Sequence, residues 1–294
     1  MQNFVGMKSR TKSIIYVMLC VLLWSLIPLV SKLGQADLDN HQFLFWSSVV
    51  SLATFMVINI SNKSLSDCLK LSKRNWIHAI VLGFLGTYLY YILLYFGYAH
   101  AKGLEVLVIQ YSWPIFVIIL SVFILKETLN AHKIISIVLG FLGVFMVLTK
   151  GDFTNIHLDN LWVDGIVLLA ALVFGLFSVL SKHIDIPPLS LTTIFFLAST
   201  IISFASMLLF SSISLPTQST IIPILLNGVL VNGISYIFWI KALKFGNASF
   251  VAPFVFFTPV LSTLILIVFF KEAFHMIYLI GMLMVIMGGL VNRK

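Results

Sequence analysis

Ten long apolar runs constrain this chain of 294 residues more than any other feature of its sequence. A helix that crosses a lipid bilayer needs about 20 apolar residues, whereas the strands of a membrane β-barrel are short and alternate apolar with polar residues. The runs are long and continuous, so we predict an all-α membrane protein with ten transmembrane helices. They cover roughly residues 13–33, 41–60, 76–98, 104–125, 132–149, 161–182, 189–210, 219–240, 248–270 and 275–291.

The composition excludes most other classes of protein. Hydrophobic residues make up 60% of the chain and charged residues 10%, whereas a soluble domain carries about 25% charged residues. The segments between the runs are too short to hold a soluble domain, so we predict one transmembrane domain over residues 1–294. The first run is longer than the core of a signal peptide and lacks a small-x-small cleavage site, which favours a permanent span.

The positive charges predict how the helices are oriented. If the N-terminus is cytoplasmic, only four of the 18 Lys and Arg residues fall in outer segments and the other 14 fall in inner ones. Basic residues concentrate in cytoplasmic loops, so both termini are expected inside. The net charge of +8 is then a signal of topology, and we expect no nucleic-acid partner. The outer four are Lys32, Lys102, Lys150 and Lys271.

The two halves of the chain resemble each other at an offset of about 145 residues. Five spans per half is an odd number, so the second half must cross the membrane upside down. Inverted repeats of this kind build many transporters, with the substrate site near the bilayer midplane, although a duplicated scaffold would give the same pattern. The predicted repeats are about 13–149 and 161–291, and the matches include Pro114 with Pro259, Tyr91 with Tyr236 and Lys126-Glu127 with Lys271-Glu272.

These features resemble the ten-span, EamA-type drug/metabolite transporter superfamily over nearly the whole chain. Leu23-Trp24-Ser25 in the first span fits that superfamily, as does a Pro in spans four and nine ahead of a terminal Glu. Glu105-Val106 followed by Tyr111-Ser112-Trp113-Pro114 is similar to the bacterial aromatic-amino-acid exporter, and so is the stretch 257–262. The resemblance implies a carrier in the bacterial inner membrane that exports amino acids, and some planar cations, through a central cavity.

Side chains with polar groups recur near the centres of several predicted spans. A Tyr hydroxyl, a Trp N–H or an amide in hydrocarbon needs a hydrogen-bond partner, which either a watery cavity or a neighbouring helix supplies. For one residue alone, packing explains the pattern better; for the set, a mostly apolar ligand cavity is the better interpretation. The predicted substrate-binding residues are Trp24, Tyr88, Tyr91, Gln110, Tyr111, Trp113, Asn232, Tyr236, Trp239, Phe256 and Phe257.

Helical geometry ranks some members of this set. Tyr111 and Trp113 are two positions apart and point about 200° away from each other on a helix, so we expect Trp113 rather than Tyr111 to face the ligand. Gln110 lies three positions before Trp113 and shares its face. Asn232, at mid-depth in span eight, is the most polar residue of the stripe that it forms with Tyr236 and Trp239, and an interhelical hydrogen bond is as good an explanation for it as ligand contact.

Three prolines are predicted to kink the spans that contain them. Pro28, Pro114 and Pro259 each remove a backbone hydrogen bond within an apolar run. Pro114 and Pro259 are repeat mates, so they are candidates for paired bends during transport, although a static kink is nearly as good an interpretation.

The remaining ionisable residues predict weak coupling to ions. No carboxylate or His lies at mid-depth in a predicted span, so we expect facilitated or weakly coupled exchange. Glu127 and Glu272 end spans four and nine beside Lys126 and Lys271, and we expect these pairs to anchor the helices at the membrane interface. Asp164 is predicted near the outer end of span six.

Together the sequence predicts a monomeric secondary transporter for small amphiphilic metabolites in the inner membrane, working by alternating access. Aromatic or neutral amino acids are the foremost candidates, and export is what the resemblance implies. An exporter of organic cations and a non-transporting receptor or scaffold are the alternatives. No metalloprotease, serine-hydrolase or phosphate-loop motif is present, so we expect neither an enzyme nor a cofactor or metal.

Overall fold

The predicted apolar runs are helices in the computed structural model, which describes residues 2–101, 103–152, 154, 160–270 and 275–291. Within these residues nine helical segments are long and apolar enough to cross a membrane, and a tenth apolar helix has 16 residues. The predicted all-α membrane fold is therefore confirmed. Lys102, Lys271 and Glu272, which the predictions above name, lie outside the described residues, and so do Arg293 and Lys294, which are two of the 14 basic residues predicted in inner segments.

The spans are numbered as they were predicted. Five are uninterrupted, and five change helix type or break along their length. Their bounds are Gln2–Trp24 with Ile27–Gly34 (span one), Asn40–Ser61 (two), Lys73–Gly83, Phe84–Leu89 and Tyr90–His100 (three), Gly103–Gln110 with Trp113–Leu125 (four), Ala131–Thr149 (five), Leu161–His183 (six), Pro188–Phe210 (seven), Gln218–Leu226, Asn227–Ile234 and Ser235–Phe245 (eight), Ala248–Val251, Ala252–Phe256 and Phe257–Phe270 (nine) and Met276–Val291 (ten).

Polar residues in the loops begin and end the helices. The side chains of Asp39, Asn130 and Asn160 each accept a hydrogen bond from a backbone N–H in the first turn of the span that follows, which satisfies a donor that the helix itself leaves open. Lys126 and Lys150 end spans four and five in the left-handed conformation. The helix of span one begins well before the predicted start at residue 13, because the basic residues that precede the apolar run continue it.

Packing between the halves follows a two-fold relation. Span one packs on span eight, and the corresponding pair from the other repeats, spans six and three, packs in the same way. Span two packs on span seven, which is its counterpart in the second repeat. Span five likewise packs on its counterpart, span ten. In the last pair Gly143 lies against Gly281, and Ser136 lies against Gly288. The residue numbers run in opposite directions along the two helices, so these mates are antiparallel. The axis that relates them is therefore perpendicular to the helices, as an inverted repeat requires.

A second symmetric feature is a π-helical stretch in the middle of span three and of span eight. The two π-helical stretches are residues 84–89 and 227–234. They end at residues 89 and 234, which are equivalent positions of the two repeats at the offset of 145. A π turn leaves backbone groups for other partners and is common at functional sites. Here the Gly86 carbonyl accepts a hydrogen bond from Tyr236, and the Gly228 carbonyl accepts one from Ser51.

Leucine at position 143 should separate spans five and ten. A Cβ atom on Gly143 would lie 2.6 Å from the carbonyl oxygen of Gly281, so the two backbones must move apart. Overpacking of this kind costs about 1–3 kcal/mol. We expect Gly143→Leu to lower the melting temperature of the purified protein. Gly165→Leu is the control, because a Cβ there meets nothing within 4 Å; equal melting temperatures for the two variants would contradict the close packing.

One end of the helix bundle, which we call the basic end, carries the loops 62–72, 126–130, 184–187 and 246–247 together with the residues around Arg10. The other end carries the loop 35–39 and the loop 211–217. There, Asp37 accepts hydrogen bonds from Thr217 and Ser219, and the two loops are thereby joined. This end thus connects elements of the two repeats.

Candidate functional site

Three tryptophans from three spans meet in the middle of the bundle. Trp24 ends the first helix of span one, Trp113 begins the second helix of span four, and Trp239 belongs to span eight. Their ring centroids lie 6.0 Å apart for Trp24–Trp113 and 5.4 Å apart for each of the other two pairs. We call these residues the indole cluster. Phe174 of span six packs edge-on against Trp113 at 4.8 Å, so aromatic rings from both repeats meet at this point.

A small cavity of about 30 Å³ adjoins the indole cluster. A volume of this size holds one or two water molecules, whereas ligand pockets usually measure about 300–1,000 Å³. The lining comes from spans one, three, four, six and nine, and therefore from both repeats. It consists of Trp24, Ile27, Tyr90, Tyr91, Gln110, Tyr111, Trp113, Phe174, Val255 and Thr258.

Two residues of the lining hold polar atoms that lack a partner. The indole Nε1 of Trp24 and the hydroxyl of Thr258 are buried and make no hydrogen bond within the described part of the chain. Most buried polar groups in proteins are paired, and an unpaired one costs about 1–3 kcal/mol. By contrast, the Gln110 amide in the same lining donates to the Tyr90 hydroxyl at 2.7 Å. A donor and a hydroxyl thus remain available to a small polar group in the cavity.

Breaks in the helices explain how these side chains reach one point. Span four stops at Gln110 and restarts at Trp113, with a turn at Tyr111 and Ser112. The expectation that Tyr111 and Trp113 point in opposite directions assumed one continuous helix, and both of them line the cavity. Span one is interrupted in the same way just before Pro28, at residues 25–26.

Span nine has the corresponding irregularity. Residues 252–256 form a 3₁₀ helix, and the α-helix restarts at Phe257, two residues before Pro259. A 3₁₀ helix has three residues per turn, which is consistent with Val255 and Thr258 sharing the cavity side. Pro114 likewise lies in the first turn of the second helix of span four. The structure therefore places a helix break beside each of the three predicted kink prolines.

A hydrogen-bonded set on the two-fold axis supports the cavity from one side. The Tyr91 hydroxyl donates to Oδ1 of Asn232 at 3.1 Å, and the Tyr236 hydroxyl donates to the Gly86 carbonyl at 3.1 Å. The two Tyr oxygens, which belong to repeat mates, lie 3.5 Å apart. Asn232 therefore has the interhelical partner that was one of its two interpretations, and Tyr91 connects this network to the cavity lining.

The described lining of the cavity carries no Asp, Glu, Lys, Arg or His. One carboxylate outside the lining is also buried within a span. It belongs to Asp164, in the first turn of span six. Its side chain is buried, and neither oxygen has a hydrogen-bond partner in the described residues. The sequence placed Asp164 near the outer end of the span but gave no sign that it would be buried.

Glu127 closes the basic end by joining three spans. Its Oε1 accepts hydrogen bonds from Lys182 Nζ at 3.1 Å and from the Ala248 backbone N–H at 2.8 Å. Its Oε2 accepts from the Ser249 backbone N–H at 2.9 Å and from the Ser249 hydroxyl at 2.6 Å. Lys182 also donates to the Gly246 carbonyl at 2.6 Å. We call Glu127, Lys182 and Ser249 the basic-end latch.

The latch is charged at neutral pH. Burial raises the pKa of Glu127, but the hydrogen bonds from Ser249 and Ala248 and the charge of Lys182 outweigh burial, and the net pKa lies below the usual value. The sequence predicted that Glu127 anchors span four at the membrane interface. Its side chain is instead 7% exposed and fixes the start of span nine to the ends of spans four and six. The matching expectation for Glu272 falls outside the described residues.

Comparison with known proteins decides the family. The EamA-like transporter family matches this chain twice, over residues 11–149 and 161–293. The chain belongs to the EamA-like transporter family. The two matched segments agree with the two predicted repeats, so the transporter is built from two copies of one five-helix unit.

Relatives of this transporter span most of its length. An uncharacterized transporter, YoaV of Bacillus subtilis, is 26% identical over 92% of this chain and 93% of its own. The aromatic amino acid exporter YddG of Ancylobacter novellus is 25% identical over 66% of each chain. One solved crystal structure superimposes with a TM-score of 0.84 at 20% identity, over 95% of this chain and 96% of that one, which supports the fold.

The structure brings five of the eleven predicted site residues of the transporter to the cavity: Trp24, Tyr91, Gln110, Tyr111 and Trp113. Three more lie one layer behind it. Trp239 belongs to the indole cluster and donates its Nε1–H to Ser178, and Asn232 and Tyr236 belong to the network on the two-fold axis.

Three predicted residues lie outside the cavity lining. Tyr88 stacks on Phe84 within the π-helical stretch, where residues three apart no longer share a face as they do in an α-helix. Phe256 packs on Phe141 of span five because the 3₁₀ segment turns it away from the cavity. Phe257 is half-buried, and its ring lies near Gly289 of span ten.

Five lining residues were absent from the predicted set: Ile27, Tyr90, Phe174, Val255 and Thr258. Ile27, Phe174 and Val255 carry no polar group, so nothing in an apolar span distinguishes them from core residues. Thr258 directly follows Phe256 and Phe257, which were in the predicted set, but Thr258 itself was not. A signal for Thr258 was available, since it is the residue before Pro259.

Proposed function

We propose that this transporter moves small, neutral amphiphilic metabolites, aromatic amino acids foremost, across the plasma membrane by alternating access through the central cavity. In this proposal the basic end faces the cytoplasm, as the distribution of Lys and Arg favours, and the protein works as a monomer. Export is the favoured direction, and it rests on the resemblance and on the relative named as an aromatic amino acid exporter.

The pair of unpaired polar atoms is the observation that carries the proposal. Trp24 Nε1 and the Thr258 hydroxyl line a cavity walled by aromatic rings, and they come from different repeats. A ligand with an aromatic ring and a compact polar group would stack on the indoles and pair both atoms. Ligand sites of this type are mostly apolar with a few placed polar groups.

The cavity must widen for a substrate to enter. Its 30 Å³ is about a tenth of the volume of a usual ligand pocket. The breaks at residues 25–26 and 111–112 and the 3₁₀ segment 252–256 all adjoin the lining, and at such breaks a half-helix can tilt without breaking further hydrogen bonds. Release of the basic-end latch would open one side, while the loops at the other end stay joined.

Transport by purified protein in liposomes tests the proposal. Radiolabelled phenylalanine, tryptophan and threonine are supplied outside, and the flux is measured against protein amount and concentration. We expect saturable flux that scales with protein and is greatest for an aromatic amino acid. Binding without flux would indicate a receptor and overturn the transport proposal, and flux of threonine alone would overturn the aromatic preference.

Organic cations are a second candidate, favoured by one observation. Three indole faces meet without a carboxylate in the described lining, and indole rings attract cations by about 0.5–2 kcal/mol. A planar quaternary amine belongs in the same flux assay. Flux of the amine without any amino-acid flux would select this candidate over the first.

Valine at position 258 should change the stability of the protein and its affinity for ligand in opposite directions. Val has the shape of Thr without the hydroxyl, so Thr258→Val removes an unpaired buried group. We expect the unliganded protein to become more stable by roughly 1 kcal/mol, while the affinity for the transported amino acid falls several-fold. Thermal unfolding with and without ligand measures both effects. Thr263→Val is the matched control in the same span, because Thr263 donates to the Pro259 carbonyl; equal loss of affinity in both variants would contradict the role of Thr258.

A further inference from the structure

A second cavity, of about 360 Å³, lies at the basic end. It is twelve times larger than the central cavity, and its walls come from the beginnings of spans one, five and nine and the end of span eight. Ser9 closes one wall by donating its hydroxyl hydrogen to the Phe245 carbonyl at 2.6 Å. The lining consists of Ser9, Arg10, Lys133, Phe245, Gly246, Asn247 and Phe250.

Two cations of the lining are held in place by their neighbours. The guanidinium carbon of Arg10 lies 4.4 Å from the centre of the Phe250 ring. Lys133 Nζ donates to the Thr128 carbonyl at 2.6 Å and to the Ser249 hydroxyl at 2.7 Å, which leaves it a third hydrogen to donate. Positioned cations of this kind bind anions with less loss of side-chain freedom than exposed lysines do.

Positive charge exceeds negative charge at this cavity. Among the described residues, Lys133 lies within electrostatic reach of Arg10, Lys182 and Glu127, so three cations, Lys133 included, face one carboxylate. Both oxygens of that carboxylate are already engaged by the basic-end latch. A further anion would therefore gain attraction from the cavity without displacing Glu127.

Aromatic and basic side chains continue from the cavity along the outside of spans one and eight. Tyr16 stacks on Phe245 with ring centroids 5.7 Å apart. Lys12 lies over the Phe245 ring at 5.4 Å, and Lys241 lies over the Tyr16 ring at 5.2 Å. Aromatic and basic residues at the ends of spans are typical of the lipid headgroup region. The cavity is thus continuous with a surface at headgroup depth.

We propose that this cavity binds the phosphate group of an anionic phospholipid. Arg10 and Lys133 would contact the phosphate oxygens, Arg10 through its planar fork and Lys133 as a point charge. Lys12 and Lys241 would add attraction from the adjoining surface. Basic pockets between transmembrane helices on the cytoplasmic side are suited to such headgroups. Because Lys133 also contacts Ser249, the bound lipid would stabilise the closed basic end.

Lipid dependence of thermal stability tests this proposal, and it requires no knowledge of the transported substrate. The purified protein is melted in detergent with added phosphatidylglycerol or phosphatidylcholine at equal mole fraction, and with inorganic phosphate instead of lipid. We expect phosphatidylglycerol to raise the melting temperature more than phosphatidylcholine does. Arg10→Gln and Lys133→Gln should each remove most of that difference and weaken lipid binding about tenfold in a titration.

Two further variants separate binding from folding. Lys133→Arg keeps the positive charge and should keep the phosphatidylglycerol effect, even if it alters the baseline melting temperature. Lys70→Gln removes an exposed charge at the same end, away from the cavity, and should also keep the effect. If Arg10→Gln and Lys70→Gln reduced the phosphatidylglycerol effect on the melting temperature equally, the proposed site would be overturned. If inorganic phosphate alone raised the melting temperature as much as phosphatidylglycerol does, the lipid proposal would be overturned, and the ligand would be a soluble phosphate compound.

Discussion

Alanine at position 113 should lower substrate flux by roughly 100-fold in liposomes that contain equal amounts of folded protein. Trp113 both lines the central cavity and contacts Trp24, Trp239 and Phe174. Buried aromatic anchors of a binding site contribute about 2 kcal/mol or more each, and 2.7 kcal/mol corresponds to a factor of 100. The measurement is the initial rate of labelled amino-acid flux over a range of concentrations.

Loss of flux must be distinguished from loss of fold. Truncation of a buried Trp to Ala costs about 3–5 kcal/mol of stability, so the amount of folded protein has to be fixed by size-exclusion chromatography before reconstitution. Trp113→Phe keeps a ring at the site and should retain part of the flux. Trp162→Ala is the matched control, because that Trp is 75% exposed. Unchanged flux in Trp113→Ala would remove this residue from the site.

The fold was predictable because hydrocarbon leaves a chain few choices. Backbone groups in lipid must pair within the segment, so each long apolar run has to be a helix. The offset between Tyr91 and Tyr236 and between Pro114 and Pro259 then gave the repeat, and the antiparallel contact of Gly143 with Gly281 is its physical consequence. None of these inferences required knowledge of a contact between distant residues.

The site was predictable only where a polar group or a motif marked a residue. Trp113 and Gln110 carried such marks, whereas Phe174 is one of 26 Phe residues in a chain that is 60% hydrophobic. Periodicity also failed where the helix is irregular. Tyr88 and Tyr91 are three positions apart and would share a face of an α-helix, but the π stretch 84–89 changes the register, and Tyr90 rather than Tyr88 lines the cavity beside Tyr91.

Long-range electrostatic contacts were the least predictable part. Glu127 follows Lys126 at the end of an apolar run, and from the sequence that position is typical of an interface anchor. Its partner Ser249 lies 122 positions further along the chain. Only the packing of spans four, six and nine brings the carboxylate, the amine of Lys182 and the beginning of span nine together.

Glutamine at position 127 should therefore open the basic end. The Gln amide keeps one acceptor but loses the ion pair with Lys182, and its NH₂ group would face the N–H and hydroxyl donors of Ser249. Removing one partner of a fully buried ion pair costs about 3–5 kcal/mol, and we expect a smaller loss here because the Lys182 side chain is 21% exposed. Ala252 follows Ser249 by three residues and is fully buried, so a Cys at that position, in a protein without Cys20 and Cys68, reports the opening. We expect a membrane-impermeant thiol reagent to label it at least tenfold faster in Glu127→Gln.

The same residue gives this effect a defined pH dependence. Because the pKa of Glu127 is lowered in the folded protein, its contribution to stability is present at neutral pH and is lost as the pH falls through and below the ordinary Glu value of about 4.3. The difference in melting temperature between the native protein and Glu127→Gln should thus shrink in acid. Asp67→Asn, at the same end and outside the latch, should show neither fast labelling nor this pH dependence. A difference that stays constant from neutral pH into acid would mean that the latch does not depend on the charge of Glu127.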